Sequence, residues 1–298
     1  MSIAHHLEYS GLRGLLGLAG SLPPDVASNA GGKLFRGLGP LLPPSRVARR
    51  NLEMALPELG AERESVVRGV WENLGRTAAE MPHLPKLERT LSGPGWEIEG
   101  AEHLRVLAEG GGPAILFSGH IGNWEMLPRI VAAHGIPMAS FYRPPNNQQT
   151  AKLLVDMRAR AMGVPVPVFP KGADGARSAA FHLARGGFLG ILIDQKLNDG
   201  IPVDFFGRPA MTAPALASLA LRFRCPVVPG YIQRLGPARL RLIVEPPMTL
   251  PDSGDRAADI LALTRAVNLT LERWVRQRPE SWLWLHRRWP RDARVSSI

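Results

Sequence analysis

Cysteine is almost missing from this chain: Cys225 is the only one among 298 residues. That excludes an internal disulfide framework and any multi-cysteine zinc site, and it suits a reduced compartment. Lysine is scarce as well. Lys33, Lys86, Lys152, Lys171 and Lys196 are five of 36 basic residues, the rest being arginine, and 26 acidic residues leave a net charge of +10. Arginine forks match phosphate and carboxylate oxygens in pairs, so nucleic acid, anionic lipid headgroups or an acidic carrier protein are the partner classes this excess allows. Long apolar runs are also missing. None approaches the ~18 residues of a membrane span, which excludes a multi-span integral protein. No internal repeat or low-complexity tract is present, and 45% hydrophobic with 21% charged residues excludes a disordered or collagenous chain. The length suits one large α/β domain.

The N-terminal glycine- and leucine-rich stretch, residues 11–20, looks like a secretory leader but has Glu8 and two histidines before it in place of a basic start. Its apolar run over 15–22 stops at Pro23-Pro24 and is too short to cross a bilayer, so it reads as a surface-lying segment. Residues 31–42 repeat the style, with Lys33 and Arg36 among Leu34, Phe35, Leu38, Leu41 and Leu42 before Pro43-Pro44. Such pieces suit the plane of a membrane interface, and packing against the protein's own core fits the same pattern. The expected division is an interfacial segment over 1–44 and a single domain over 45–298.

From 45 to about 80 apolar residues recur at helical spacing, with Pro57 and Gly60 separating two helices. Gly93-Pro94-Gly95 marks a loop. Short runs apolar on both faces follow at 113–118, 138–142, 188–193, 227–232 and 240–245, and they read as buried strands. The intervals 101–110, 122–134, 146–162, 172–185 and 212–224 read as helices, and a helix over 255–277 closes the chain. The expected fold class is α/β, a central mixed, mostly parallel sheet covered by helices.

Directly after the first buried strand comes Phe117-Ser118-Gly119-His120-Ile121-Gly122-Asn123-Trp124-Glu125, an H-x4-E arrangement. On a regular helix five positions turn through about 500°, so His120 and Glu125 would point about 140° apart. They converge only if the chain turns between them, which Gly119 and Gly122 permit. Open α/β sheets place ligands at the carboxyl ends of strands, so His120 is a candidate general base there, with Glu125 holding one imidazole nitrogen. A structural hydrogen bond between the two explains the same residues.

This segment resembles the H-x4-D/E signature of the lysophospholipid acyltransferase superfamily, and its Gly-His-Ile-Gly-Asn-Trp-Glu form resembles the lipid A late acyltransferase branch. The similarity continues in Arg49-Arg50-Asn51-Leu52 with Ala55-Leu56-Pro57-Glu58, Asn73-Leu74-Gly75-Arg76 with Glu80, and Tyr142-Arg143-Pro144. It extends through Asp194-Gln195, Val203-Asp204-Phe205-Phe206-Gly207 and Trp284-Leu285-His286-Arg287-Arg288. The resemblance implies a glycerol-3-phosphate acyltransferase-like fold and direct attack of an acceptor hydroxyl on an acyl thioester, with His120 as base and Glu125 orienting it. No cofactor is implied, only an acyl carrier protein thioester or acyl-coenzyme A as co-substrate. The chain has no G-x-S-x-G elbow, and Cys225 lies in what reads as a buried strand start, which fits a mechanism without a protein nucleophile.

The resemblance also places Arg143 near an acceptor phosphate. Phe169-Pro170-Lys171 departs from the F-P-E-G-T-R block of many relatives, which argues against a glycerol-phosphate acceptor and leaves Arg177 as a phosphate candidate. Asp194, Gln195 and Asn123 complete the expected substrate contacts, and Trp124, Phe205 and Phe206 the expected acyl channel. A metal held by Asp194, His120 and Glu125 is not expected, since no H-E-x-x-H or second histidine supports it. Residues 265–298 hold eight arginines against Glu272, Glu280 and Asp292, with Trp274, Trp282, Trp284 and Trp289 interleaved. That composition suits a headgroup layer, with Trp284, Arg287 and Arg288 at the phosphates. Single-stranded nucleic acid or tryptophans in the core fit it too.

The leading expectation is a peripheral or monotopic O-acyltransferase on the cytoplasmic face of the inner membrane. It would transfer an acyl chain from acyl carrier protein to a hydroxyl of an anionic lipid A precursor, with no nucleic acid as partner. The same chemistry on an ornithine, glycosyl or glycerol lyso-lipid is one alternative. A non-catalytic basic protein binding membrane or nucleic acid is another, and it has no need of the His120/Glu125 pair.

Overall fold

In the computed structural model, which describes residues 3–142, 146–163, 166–170 and 172–290, the chain forms a seven-stranded sheet with helices on both faces. Three helices come first: α1 (Ile3–Ser21), α2 (Pro24–Leu38) and α3 (Pro44–Ala55). The fourth, α4 (Arg63–Glu80), leads to β1 (Gly95–Glu99), α5 (Ala101–Gly110) and β2 (Ala114–Ser118). A short α6 (Leu127–Ala132) precedes β3 (Met138–Tyr142), α7 (Gln148–Met162), β4 (Val168–Pro170), α8 (Ala173–Ala184) and β5 (Phe188–Leu192). The chain then forms the hairpin β6 (Ile201–Phe205) and β7 (Arg208–Thr212), and closes with α9 (Ala215–Phe223), β8 (Val227–Gly236), β9 (Arg239–Val244) and α10 (Arg256–Gln277).

The sheet order is β1-β9-β8-β2-β5-β3-β4, and every neighbouring pair is parallel except β8 with β9. The expected mixed, mostly parallel sheet is the one found. Every residue of the central β2 is buried. Side chains alternate across a strand, so Ile115 and Phe117 join one apolar core with Leu52, Trp71 and Leu271, while Ala114 and Leu116 join a second with Leu104, Ile130 and Val228. A strand buried on both faces reads as a continuous apolar run, which is why Ala-Ile-Leu-Phe was legible.

Three expectations change. The helix expected over 122–134 is a 3₁₀ turn, Trp124–Met126, followed by the short α6, because Gly122 has positive φ (58°) and the Asn123 side chain caps the turn. Gly95, expected in a loop, opens strand β1. The expected acyl-channel segment is the β6–β7 hairpin, whose two turn residues, Phe206 (φ 55°) and Gly207 (φ 67°), both have the left-handed backbone of a type I′ turn.

Pro23-Pro24 does break the N-terminal region, but into two true helices. One face of α2 is packed against α4. Gly31 and Gly75 meet there so closely that a Cβ on either would strike the other's carbonyl. The remaining face leaves Val26, Leu34 and Leu38 exposed.

Candidate active site at the ends of two parallel strands

Register brings the key pair together. Ser118 of β2 lies opposite Leu192 of β5 in a parallel pair, and Ile193 N–H continues the ladder to the Ser118 carbonyl at 3.0 Å. His120 and Asp194 each stand two residues beyond those partners, so they emerge side by side at the carboxyl ends of the strands. His120 Nδ1 is 2.8 Å from Asp194 Oδ1, and the His120 backbone N–H donates to Oδ2 at 2.7 Å. Gly119 makes this approach possible, since a Cβ there would meet Leu271 at 2.7 Å and Asp194 Oδ2 at 3.2 Å.

A segment near the C-terminus straps the pair. Trp282, fully buried, donates its indole N–H to Asp194 Oδ2 at 2.7 Å. The Leu283 N–H reaches the His120 carbonyl (3.0 Å), the Gly122 N–H reaches the Ser281 carbonyl (3.0 Å), and His286 Nε2 lies 3.1 Å from the Asp194 carbonyl. Asn51 on α3 donates to the carbonyls of Trp284 (2.9 Å) and His286 (2.7 Å), pinning the strap from its other side. Burial opposes ionisation of Asp194, but the charge and hydrogen bonds of His120 outweigh it and hold the carboxyl well below the usual carboxylate range. Burial pushes the His286 imidazole down despite the attraction of Asp194.

Glu125 does not hold the imidazole. The imidazole's Nδ1 meets Asp194, and Glu125 instead takes the Arg158 guanidinium in a two-toothed pair at 2.7 and 2.6 Å. Burial lowers the Arg158 pKa, and Glu125 more than offsets this, so it is raised overall. Glu125 still borders the site through Trp124. That indole donates to Glu125 Oε1 at 3.2 Å and meets the His120 ring edge-to-face at 5.1 Å between centroids.

The other candidates separate. Asp194, expected as a substrate contact, is the imidazole's partner. Asn123 has both ends of its amide engaged inside the protein, its Oδ1 by the Glu125 N–H (3.2 Å) and its Nδ2 by Glu80 (2.7 Å). Gln195 is exposed just past Asp194. Arg177 is exposed on α8 and paired with Asp174. Arg143 and Lys171 lie outside the described residues.

Phe205 and Phe206, expected along the acyl channel, are both buried, in an aromatic cluster with Trp282, Trp284 and Trp289. Trp284 and Arg288, expected at lipid phosphates, are corrected: both are fully buried and cannot reach a headgroup layer. Arg288 donates to the Met211 carbonyl (3.0 Å) and Thr212 Oγ1 (2.7 Å) and lies 5.1 Å over the Phe205 ring. Burial pushes its pKa down to about 10, which leaves it a cation at neutral pH. Arg287 alone of that trio is exposed. Cys225 is buried, and burial pushes its thiol up to about 11, the opposite of an activated nucleophile. Among the described residues no group of three His, Cys, Asp or Glu side chains could hold a metal ion.

Sequence reading missed Trp282, His286 and Arg158. For Asp194 a signal existed: like His120, it stands two residues past the end of a strand with a continuous apolar run.

A histidine held by a carboxylate at the ends of adjacent parallel strands is an arrangement suited to an oriented base. The chain belongs to the bacterial lipid A biosynthesis acyltransferase family, whose pattern matches residues 5–291. A lipid A biosynthesis acyltransferase of Haemophilus influenzae is 27% identical over 194 residues, covering 63% of this chain. The aligned part spans only 57% of that relative's length.

Proposed function

We propose that the protein transfers a fatty acyl chain from an acyl carrier protein thioester to a hydroxyl of a lipid A precursor, with His120 as general base and Asp194 orienting it. The observation that carries this reading is the 2.8 Å contact of His120 Nδ1 with Asp194 Oδ1. A carboxylate only accepts, so Nδ1 carries the proton and Nε2 keeps its lone pair for the acceptor hydroxyl. Nε2 takes the hydroxyl proton as the oxygen attacks the thioester carbonyl carbon. The imidazolium so formed lies against Asp194, which stabilises it. The tetrahedral intermediate collapses to the ester, the C–S bond breaks, and the departing thiolate takes the proton back from His120. No group on the enzyme is acylated.

The acceptor is a lipid, and the N-terminal helices support docking at a bilayer surface. Leu7, Leu15 and Leu18 of α1 are 69%, 66% and 63% exposed and share one helical stripe, and Val26, Leu34, Leu38, Leu41 and Leu42 are exposed after them. Among the described residues no helix is long and apolar enough to cross a membrane. An apolar stripe with basic neighbours suits peripheral attachment to the anionic cytoplasmic face of the inner membrane.

The test is a transfer assay with purified protein, an acyl carrier protein thioester and a lipid A precursor in anionic vesicles, read by mass spectrometry of the lipid. A gain of one acyl chain with wild type and none with His120→Ala is expected. No gain with wild type, or equal gain with both, overturns the reading.

A further inference from the structure

Behind the catalytic turn sits a carboxylate that the proposed chemistry does not use. Glu80, the last residue of α4, is fully buried, and its two oxygens accept five hydrogen bonds. Oε1 accepts from Ser28 Oγ of α2 (2.6 Å), from the Ala238 backbone N–H (3.1 Å) and from the Arg234 guanidinium of β8. Oε2 accepts from Arg234 Nη2 (3.0 Å) and from Asn123 Nδ2 (2.7 Å). A buried ion pair of this kind is a poor way to gain stability, since desolvation cancels most of the attraction, so its placement calls for another reason.

Asn123 supplies that reason. An amide group can be turned over, exchanging its donor and acceptor ends at little steric cost. Here Glu80 presents only acceptors, so Nδ2 must face it, and Oδ1 is thereby turned to the Glu125 N–H at 3.2 Å. In the reversed orientation, Oδ1 would oppose a carboxylate while Nδ2 opposed a backbone N–H, so both contacts would be repulsive. The turn capped in this way carries Trp124, whose ring meets that of His120, and Glu125, which holds Arg158. Asn73 and Thr77, one helical turn and more before Glu80 on α4, also bond the Gly122 carbonyl at 2.9 and 3.3 Å. The C-terminal half of α4 is thus the bed on which residues 122–125 lie.

We propose that Glu80 is a positioning residue of the active site: by offering Asn123 only an acceptor it fixes that amide, and through it the turn that sets Trp124 and Glu125 around His120. It acts through Asn123 and does not touch the reacting atoms. The inference rests on the reading of His120 as the base.

The test uses the full chain and two double variants that remove the buried charge pair together, Glu80→Met/Arg234→Met and Glu80→Gln/Arg234→Met. Removing both charges spares the fold an unpaired buried ion. The glutamine keeps an acceptor oxygen for Asn123, and the methionine does not. The methionine double variant should lose about 10- to 100-fold in kcat with KM for the thioester changed by less than about twofold, the scale of a small misplacement of reacting groups. The glutamine double variant should recover to within roughly threefold of wild type, as expected if the acceptor rather than the charge is what matters. Hydrogen exchange at the Glu125 amide should speed up in the methionine variant and not in the glutamine variant. Equal turnover and equal exchange in the two doubles, at any level, overturns the proposal. If the doubles do not fold, Asn123→Ala carries the test: a kcat loss with KM kept supports the proposal, and wild-type turnover overturns it. His120→Ala in the same assay separates the two readings. If it matches wild type, the base assignment fails, while the exchange result still decides the role of Glu80.

Discussion

The N-terminal helices and the C-terminal strap carry the same kind of sequence, basic residues among large apolar ones, and end in opposite places. In the strap, Trp282, Trp284 and Arg288 are fully buried around the candidate base, and only Arg287 of the expected headgroup contacts is exposed. In α1 and α2, leucines that composition would assign to a core stand in the open. The difference lies in available partners. Arg288 finds a carbonyl, a hydroxyl and an aromatic face inside the fold, so its burial is compensated. Among the described residues, no second layer covers the open leucines of α1 and α2. Charge and tryptophan content therefore say little about burial until the hydrogen-bond acceptors nearby are known.

The sharpest way to separate the two regions is at Asp194, which the strap holds. Asp194→Asn should lower kcat by on the order of 10²- to 10⁴-fold, because the amide no longer selects the Nδ1–H form or stabilises the imidazolium. Replacing Leu7, Leu15 and Leu18 together by serine should leave turnover on a detergent-dispersed acceptor at wild-type level. If the serine variant is as damaged in that assay as Asp194→Asn, the division between a catalytic strap and a docking helix collapses.

Stability should divide the regions next. Trp282→Ala empties a fully buried site and should cost about 3–5 kcal/mol in chemical denaturation, whereas Leu15→Ala should stay within about 0.5 kcal/mol. Comparable losses would mean that α1 is packed against something in solution, such as a second copy of the chain. The same leucines should matter on vesicles. The triple serine variant should bind anionic liposomes at least about tenfold more weakly, since each leucine buried in the interface is worth about 1.5 kcal/mol or more. Unchanged cosedimentation would remove α1 from the docking surface.

The smallest effect is in pH. His286 has a depressed pKa in the folded protein, so as pH falls below the ordinary histidine value of about 6.5 the unfolded chain gains a proton that the folded one refuses. Asp194 is also depressed, so below about pH 4 the unfolded carboxyl is protonated while the folded one stays charged. Both contributions are present at neutral pH and lost on acidification, each with a limiting slope of about 1.4 kcal/mol per pH unit. Thermal unfolding should show an upper acid step that His286→Gln removes and a lower one that it leaves. An upper step that survives in His286→Gln would assign it elsewhere.

Particular residues show what could be read ahead of the fold. Strands 114–118 and 138–142 were legible because runs apolar on both faces suit a sheet covered on both sides, and helix 101–110 because it lies between glycines that end it. The hairpin over 201–212 was not: its strands are short, interrupted by Pro202 and Pro209, and turned by Phe206, a residue that rarely adopts positive φ. Asp194 was legible as a site residue and not as the partner of His120, and Glu125, nearer in the chain, was expected in that place.

What the sequence by itself determined is local: the alternation of strands and helices, the histidine placed on a glycine-flanked strand exit, the lack of a G-x-S-x-G elbow. These follow from side-chain period, backbone freedom at glycine and residue chemistry, all properties of short segments. Only the tertiary structure decided which carboxylate meets His120. Asp194 is 74 residues away, and it arrives because β5 lies beside β2 in the sheet although β3 and β4 intervene in the chain. Strand order is fixed by the packing of all the helices together. No periodicity encodes it, and the burial of Trp282 and Arg288 depends on the same packing.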